Sequence, residues 1–136
     1  MIVDLVVDEN ILFAALLKES KSRELLFRDD LILFSPDFLL EEYGRYAEAL
    51  HRKSRRPSNE FADLLSILSR RIFLIPRAEY AEWMKPATTI CPDAKDIPYF
   101  ALALKLKCGL WSNDKKLASQ KQVVVWNTHQ LSLHLP

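Results

Sequence analysis

Glycine is scarce in this chain, whose 136 residues include only Gly44 and Gly109. Loops that cradle nucleotide phosphates, such as GxGxxG and the P-loop, need several closely spaced glycines. The sequence therefore argues against a Rossmann dehydrogenase and against a P-loop nucleotide hydrolase.

Cysteine and long apolar runs are also scarce. Cys91 and Cys108 are the only cysteines and form no CxxC pair, so neither a disulfide framework nor a zinc site is indicated. No apolar stretch approaches the ~20 residues of a membrane-spanning helix. The short N-terminal apolar run is interrupted by Asp4 and Asp8, which argues against a signal peptide. We therefore expect a cytoplasmic protein with no membrane association.

An excess of charge of either sign is missing as well. Lys and Arg total 19 against 18 Asp and Glu, which gives a net charge of +1. The whole molecule is therefore not driven toward nucleic acid, and any such partner must be recognised locally. The apolar fraction of 49% is enough for one core in a chain of this length. We interpret residues 1–136 as a single domain.

The chain does contain short β-rich runs that alternate with longer helical ones, a pattern typical of a parallel sheet with crossover helices. Most predicted strands are continuous apolar runs, as expected of strands covered on both faces. Residues 86–92 have turn residues and little periodicity, and we interpret them as a loop. The predicted strands are residues 2–7, 31–35, 72–75, 109–112 and 123–126, and the predicted helices are residues 11–18, 22–28, 36–53, 59–71, 78–84, 97–107 and 115–119.

Four carboxylates lie where such a sheet would bring distant parts of the chain together. Asp8 and Asp114 follow the first and fourth predicted strands, Glu42 lies in a predicted helix, and Asp96 opens another. Ligands collect beyond the carboxyl ends of strands in such sheets, and clustered carboxylates repel one another unless a cation neutralises them. Together the four positions indicate a site for Mg²⁺ or Mn²⁺. Taken singly, each aspartate is equally well explained as a helix cap or turn residue.

Helix geometry separates Glu42 from its neighbour Glu41. A stripe at i, i+4, i+7 and i+11 that begins at Leu39 and includes Tyr46 predicts one buried helix face. At about 100° per residue, Glu42 lies at the edge of that face and Glu41 points away from it. Glu42 is therefore the candidate ligand, although a surface role remains open for it.

Asp93 competes with Asp96 in the same way. Asp96 occupies a helix-start position and Asp93 belongs to the preceding loop, so we interpret Asp93 as a supporting or surface group. Asn10 follows Asp8 closely enough to hold its carboxylate or a metal-bound water, and a plain first-turn polar residue is the alternative.

Residues 51–56 form the only dense basic run, and they follow the helix that carries Glu42. Cations stabilise helix C-termini, so this run can be a solvated helix end. It can instead hold a nucleic-acid backbone through electrostatic contacts. The candidate RNA-binding residues are Arg52, Lys53, Arg55 and Arg56.

Taken together and in order, four segments resemble the PIN-domain family of metal-dependent ribonucleases, which includes VapC-type toxins. They are VVDENIL at residues 6–12, SPDFLLEEY at 35–43, DAKDIPYFALA at 93–103 and LWSND at 110–114. The resemblance implies a three-layer α/β/α sandwich with a central parallel sheet of order 3-2-1-4-5. It implies an acidic pocket for Mg²⁺ or Mn²⁺ with catalytic and metal-binding carboxylates at Asp8, Glu42, Asp96 and Asp114, assisted by Asn10 and Ser112.

The resemblance also implies a function and partners. These are hydrolysis of RNA phosphodiester bonds, a toxin role with an antitoxin partner, and a homodimer. Glu9 departs from the family, which commonly has a small hydroxyl residue after the first aspartate, and it adds negative charge near the pocket. The main alternative is a catalytically inactive PIN-like domain that binds RNA or protein. A phosphatase or phosphoacceptor domain is less well supported, because no second aspartate follows Asp8 at the DxD spacing.

Overall fold

A five-stranded parallel sheet lies at the centre of the structure, a computed structural model that describes residues 2–136. The strands are β1 (Val3–Val7), β2 (Leu31–Pro36), β3 (Ile72–Ile75), β4 (Gly109–Trp111) and β5 (Val125–Trp126). Their order in the sheet is β3-β2-β1-β4-β5, and all neighbouring strands are parallel. The predicted order 3-2-1-4-5 is therefore confirmed.

Helices connect the strands and cover both faces of the sheet. Short 3₁₀ segments at Ala81–Trp83, Ala94–Asp96 and Lys115–Ser119 accompany them. The α-helices are α1 (Glu9–Leu17), α2 (Lys21–Leu26), α3 (Phe38–Ser54), α4 (Ser58–Ser69), α5 (Arg77–Tyr80), α6 (Met84–Ile90), α7 (Ile97–Leu106) and α8 (Thr128–His134).

Alternation along the central strand divides the core into two layers. Leu5 and Val7 pack into one cluster with residues of α1 to α4 and α8, whereas Val6 packs into the other with residues of α5 to α7. Successive side chains of a strand point to opposite faces, so one apolar run supplies both clusters. The predicted three-layer α/β/α sandwich is confirmed.

The expectation of a loop at residues 86–92 was wrong, because helix α6 occupies most of this segment. Pro86 is the third residue of α6, a position whose backbone N–H has no partner inside a helix, so the proline costs the helix little. Ala87 is fully buried, and the Thr88 hydroxyl donates to the Met84 carbonyl oxygen at 2.7 Å. Tertiary burial therefore stabilises a helix that local periodicity did not indicate.

Helix α8 was also missed, although its N-terminus carries a sequence signal. Asn127 and Gln130 form a reciprocal capping box, in which each side chain accepts a hydrogen bond from the backbone N–H of the other residue. None of the helices within residues 2–136 is long and apolar enough to cross a lipid bilayer.

The sheet topology places the carboxyl end of β1 beside that of β4. The chain builds β1, β2 and β3 outward in one direction and then returns to the other side of β1, and ligand sites of α/β sheets lie at such reversals. The Asp8 N–H continues the ladder past the strand end by donating to the Trp111 carbonyl oxygen at 3.0 Å. Residues that follow β1 and β4 therefore meet at one edge of the sheet.

Candidate metal centre

Three buried carboxylates converge at the carboxyl edge of the sheet. Asp8, Glu9 and Asp96 each contribute an oxygen, and these oxygens all lie within 4.8 Å of one another. Their side chains are 2%, 3% and 2% exposed. Within residues 2–136 this is the only group of three or more potential ligands that meets this distance, and we call it the acidic centre.

Asp8 is held in the acidic centre from both sides of the strand end. It is the N-cap residue of α1, and its Oδ1 accepts a long hydrogen bond of 3.5 Å from the Asn10 backbone N–H. Its Oδ2 accepts a short one of 2.6 Å from the Ser112 hydroxyl. Asn10 and Ser112, both predicted to assist at the pocket, thus contact Asp8, although Asn10 does so through its backbone.

Asp96 reaches the acidic centre because it does not cap its helix. It is the N-cap residue of α7 and its side chain makes no capping hydrogen bond, which leaves both oxygens available. The neighbouring Asp93 does act as a cap, because its Oδ1 accepts from the Lys95 backbone N–H at 3.2 Å. The structure therefore brings Asp96 to Asp8 and places Asp93 outside the acidic centre, as a nearby negative charge.

Glu42 lies next to the acidic centre but outside it. Its side chain is 5% exposed, and its Oε1 accepts a hydrogen bond from the Tyr99 hydroxyl at 3.3 Å. Burial and the negative charge of Asp8 raise the pKa of Glu42, although the Tyr99 hydrogen bond opposes the rise. Glu41 is exposed on the same helix, as the helix geometry predicted.

Asp114 is farther from the acidic centre than expected. Its Oδ1 accepts from the Lys116 backbone N–H at 3.0 Å and so caps the 3₁₀ segment that follows. Its own backbone N–H donates to the Ser112 hydroxyl oxygen at 3.1 Å, and that hydroxyl donates to Asp8. Ser112 therefore connects Asp114 to Asp8 through two hydrogen bonds. Asp114 itself lines a neighbouring cavity of about 610 Å³.

Glu9 is the member of the acidic centre that sequence reasoning did not choose. Its Oε2 is buried and, among the described residues, finds no hydrogen-bond partner. Helix α1 offers a signal, since Ile11, Leu12, Ala15 and Leu16 are all buried around it. A charged residue in the first turn of a helix buried on most sides has little room to reach solvent.

The electrostatics of the acidic centre favour the protonated or cation-bound form. Burial first, and then hydrogen bonding to and repulsion from Asp8, raise the pKa of Glu9 to about 10. Burial and repulsion from Asp8 likewise raise the pKa of Asp96 to about 7, partly offset by Lys95. Crowded carboxylates of this kind release their protons when a cation binds.

The donor set suits a hard divalent cation. Its oxygens are the ligands that Mg²⁺ and Mn²⁺ prefer, and a buried carboxylate oxygen without a donor is expected where a cation completes the site. The acidic centre of Asp8, Glu9 and Asp96 could thus hold a metal ion.

The candidate RNA-binding residues lie at the end of α3. Arg55 ends the helix in the left-handed conformation with φ of 56°. Arg52 and Arg55 are exposed and Arg56 is half-buried. Lys53 alone among the four lines a cavity that also includes Glu9 and Glu42.

The strand order and the buried acidic centre define a class of α/β domain with a cation-compatible site at the carboxyl edge of its sheet. A family model described as PIN domain matches residues 6–136, and the chain belongs to the PIN-domain family.

One solved structure illustrates how far the fold is shared. A chain of VapBC2 from Rickettsia felis, crystallised bound to a DNA fragment from the promoter, is similar with a TM-score of 0.65 and 15% identity. The alignment covers 92% of this chain and 98% of that chain. No curated protein matches the sequence significantly. At this identity the similarity establishes the fold.

Proposed function

We propose that the chain is an Mg²⁺- or Mn²⁺-dependent endoribonuclease that hydrolyses phosphodiester bonds of single-stranded RNA. The observation that carries the proposal is the acidic centre of Asp8, Glu9 and Asp96 in a PIN-domain chain, with a buried Glu9 oxygen that lacks a donor. Carboxylates buried this closely repel one another, and a divalent cation offsets that repulsion.

Each residue of the site has a proposed role that follows from its contacts. Asp8, Glu9 and Asp96 would hold the metal ion. Ser112 fixes the orientation of Asp8, and partners that orient metal ligands raise metal affinity. Tyr99 orients Glu42, which lies beside the acidic centre and is proposed to position water or a second ion.

Asp114 is proposed to act from the rim. Its backbone N–H donates to the Ser112 hydroxyl oxygen, and the residue lines the neighbouring cavity of about 610 Å³, where its carboxylate would take part in a second ion site. A bound ion would lower the pKa of a water molecule and offset the charge that builds on the scissile phosphate.

The test compares two aspartates of the same strand region. Asp8→Asn should abolish Mn²⁺-dependent cleavage of single-stranded RNA, because it weakens the ion site. Asp4→Asn is the matched control, because Asp4 is exposed on β1 and lies outside the acidic centre, and it should cleave normally. Equal cleavage by both variants would contradict the proposal.

A metal titration separates this proposal from an inactive RNA-binding or protein-binding domain. A functional ion site should raise the melting temperature with increasing Mn²⁺ by mass action, and Asp8→Asn should remove that rise. If the unaltered protein neither cleaves RNA nor gains thermal stability from Mn²⁺, the inactive RNA-binding or protein-binding domain is favoured.

We further propose that the protein is the toxin of a toxin–antitoxin pair and forms a homodimer. Support comes from the shared fold with a chain of VapBC2. A co-expressed antitoxin should copurify and suppress cleavage, and light scattering should give twice the 15.8 kDa chain mass. A monomer by light scattering would overturn the homodimer, and unaffected cleavage would overturn the pairing.

A further inference from the structure

A small cavity opens directly beside the acidic centre, between α1 and α3. Its volume is about 210 Å³, smaller than the roughly 300 to 1,000 Å³ of most small-molecule sites. Glu9 and Glu42 form one end of it, and Lys95, the neighbour of Asp96 in sequence, lies on its wall. A group bound here would be part of a molecule that also reaches the acidic centre.

An aromatic pair forms another part of the cavity wall. The rings of Phe13 and Tyr46 meet edge to face, with centroids 6.1 Å apart and an interplanar angle of 63°. Phe13 is 9% exposed, whereas its partner Tyr46 is 50% exposed. The predicted buried stripe is confirmed at Leu39 and Leu50 and wrong at Tyr46, whose exposed ring is available to a ligand.

The cavity side of α3 presents three kinds of group in order. Glu42, Tyr46, Ala49 and Lys53 line the cavity at i, i+4, i+7 and i+11, which is one helix face. Tyr46 is about 6 Å along the helix axis from Glu42, at 1.5 Å per residue. The face thus offers a carboxylate near the ion site, then a ring beside a small side chain, and then a cation.

The charges around the cavity select among ligands. Lys53 and Lys95 line the cavity together with Glu9 and Glu42, so cations lie close to the acidic side chains. A flat, uncharged ring attached to a phosphate chain would suit this lining, because the ring can stack on Tyr46 and the phosphates can contact the lysines.

We propose that this cavity is a nucleobase subsite, in which one base of single-stranded RNA stacks on Tyr46 while the adjoining phosphates reach Lys53 and the acidic centre. The inference rests on the proposed function, because it assumes an RNA strand at the ion site. Unpaired bases bind proteins by stacking on aromatic side chains, with little dependence on base identity.

The test measures affinity for short RNA strands in which one position at a time is abasic. Binding is followed by fluorescence anisotropy with Ca²⁺, which takes the same oxygen ligands, and a gel checks that the strand remains intact. Tyr46→Ala should weaken binding of the intact strand by roughly 5- to 100-fold. At one position, removal of the base should lower the affinity of the unaltered protein by a similar factor. The same change should leave the affinity of the Tyr46→Ala variant almost unchanged.

Two further variants keep the test specific to the ring. Tyr46→Leu preserves an apolar side chain without a stacking surface and should behave as Tyr46→Ala does, while Tyr46→Phe should bind as the unaltered protein does. Phe73→Ala is the matched control, because Phe73 is 61% exposed and packs on another ring, that of Phe34, outside the cavity. Phe73→Ala should leave unchanged the abasic profile, which is the dependence of affinity on the position of the missing base.

The outcomes separate this inference from the proposed function. If Asp8→Asn abolishes cleavage but Tyr46→Ala retains full affinity and the abasic profile, the subsite is wrong and the nuclease stands. If the profile depends on Tyr46 but no metal-dependent cleavage occurs, the nuclease is wrong and the subsite stands. If the unaltered protein binds no RNA strand, both are overturned.

Discussion

The Ser112 hydroxyl donates a 2.6 Å hydrogen bond to the Asp8 carboxylate across 104 residues of sequence. The same hydroxyl oxygen accepts from the backbone N–H of Asp114, so one buried serine connects the ends of β1 and β4. Short hydrogen bonds to a carboxylate are among the stronger ones in proteins. Ser112 thereby fixes the direction in which one oxygen of the acidic centre points.

We expect Ser112→Ala to weaken Mn²⁺ binding by about 10- to 100-fold, the usual cost of losing a group that orients a metal ligand. Isothermal titration calorimetry measures the affinity directly and independently of cleavage. Ser119→Ala is the matched control, because the Ser119 hydroxyl is exposed and donates only to the Lys116 carbonyl oxygen. Equal Mn²⁺ affinity in both variants would show that Asp8 needs no such support.

Glu9→Gln should have opposite effects on the metal-free and metal-bound protein. The folded-state pKa of Glu9 is raised from 4.5 to about 10, so the unfolded chain releases this proton while the folded protein keeps it. The stability that Glu9 contributes is therefore fully present below pH 4.5 and is lost as the pH rises toward 10. Glutamine resembles the protonated acid and does not titrate.

Metal-free Glu9→Gln should consequently melt near the unaltered protein at pH 4.5 and above it at pH 8, by thermal denaturation. Its melting temperature should rise less with Mn²⁺, because one ligand is weaker. Glu41→Gln, at an exposed position of α3, should shift neither measurement. If Mn²⁺ raised the melting temperature of Glu9→Gln as much as that of the unaltered protein, Glu9 would not be a ligand of the ion.

Neutralising Arg52, Lys53, Arg55 and Arg56 should reduce the salt dependence of RNA binding. Each phosphate contact on a single strand contributes about −0.7 to the slope of log K against log salt concentration. Lys53 lines the cavity beside Glu9 and Glu42, so Lys53→Ala alone should make the slope less negative. Lys107→Ala, at the exposed end of α7, should leave the slope unchanged. An unchanged slope in the fourfold variant would leave these residues as a solvated helix end.

The two glycines should respond oppositely to alanine. A Cβ at Gly109 would lie 3.0 Å from the Val124 carbonyl oxygen and 3.1 Å from two atoms of the Trp126 ring, so Gly109→Ala should destabilise by about 1–3 kcal/mol. A Cβ at Gly44 meets nothing within 4 Å inside α3, so Gly44→Ala should stabilise by about 0.5–1 kcal/mol. Urea denaturation gives both values. Similar effects at the two positions would contradict the packing around β4 and β5.

Sequence reasoning reached most of the fold because its signals are local. Continuous apolar strands indicated a sheet covered on both faces, and alternating strands and helices indicated parallel pairing. The strand order came from the family resemblance. Helices α6 and α8 were missed because neither shows a periodic apolar pattern. Helix α6 is stabilised by tertiary burial, as at Ala87, and α8 begins at the capping box of Asn127 and Gln130.

The site was predictable where backbone position alone decides the placement. Asp8 is carried to the sheet edge by the strand that it follows, and it is buried there. Asp96 is buried as well, but its position beside Asp8 depends on how α7 packs, which the sequence alone did not give. Glu9 and Asp114 depend on side-chain direction. Glu9 turns inward from the first turn of a buried helix, and Asp114 turns toward Lys116. A one-dimensional pattern does not carry that direction.

The distance in sequence between Asp8 and its partners has a consequence for synthesis on the ribosome. Asp8 emerges early, whereas Asp96 and Ser112 belong to the last part of the 136 residues. A growing polypeptide therefore lacks the full acidic centre until Asp96 has been synthesised, and it lacks the hydroxyl that orients Asp8 until Ser112 has followed. A chain that cuts RNA would acquire that ability only after all of these segments had emerged from the ribosome.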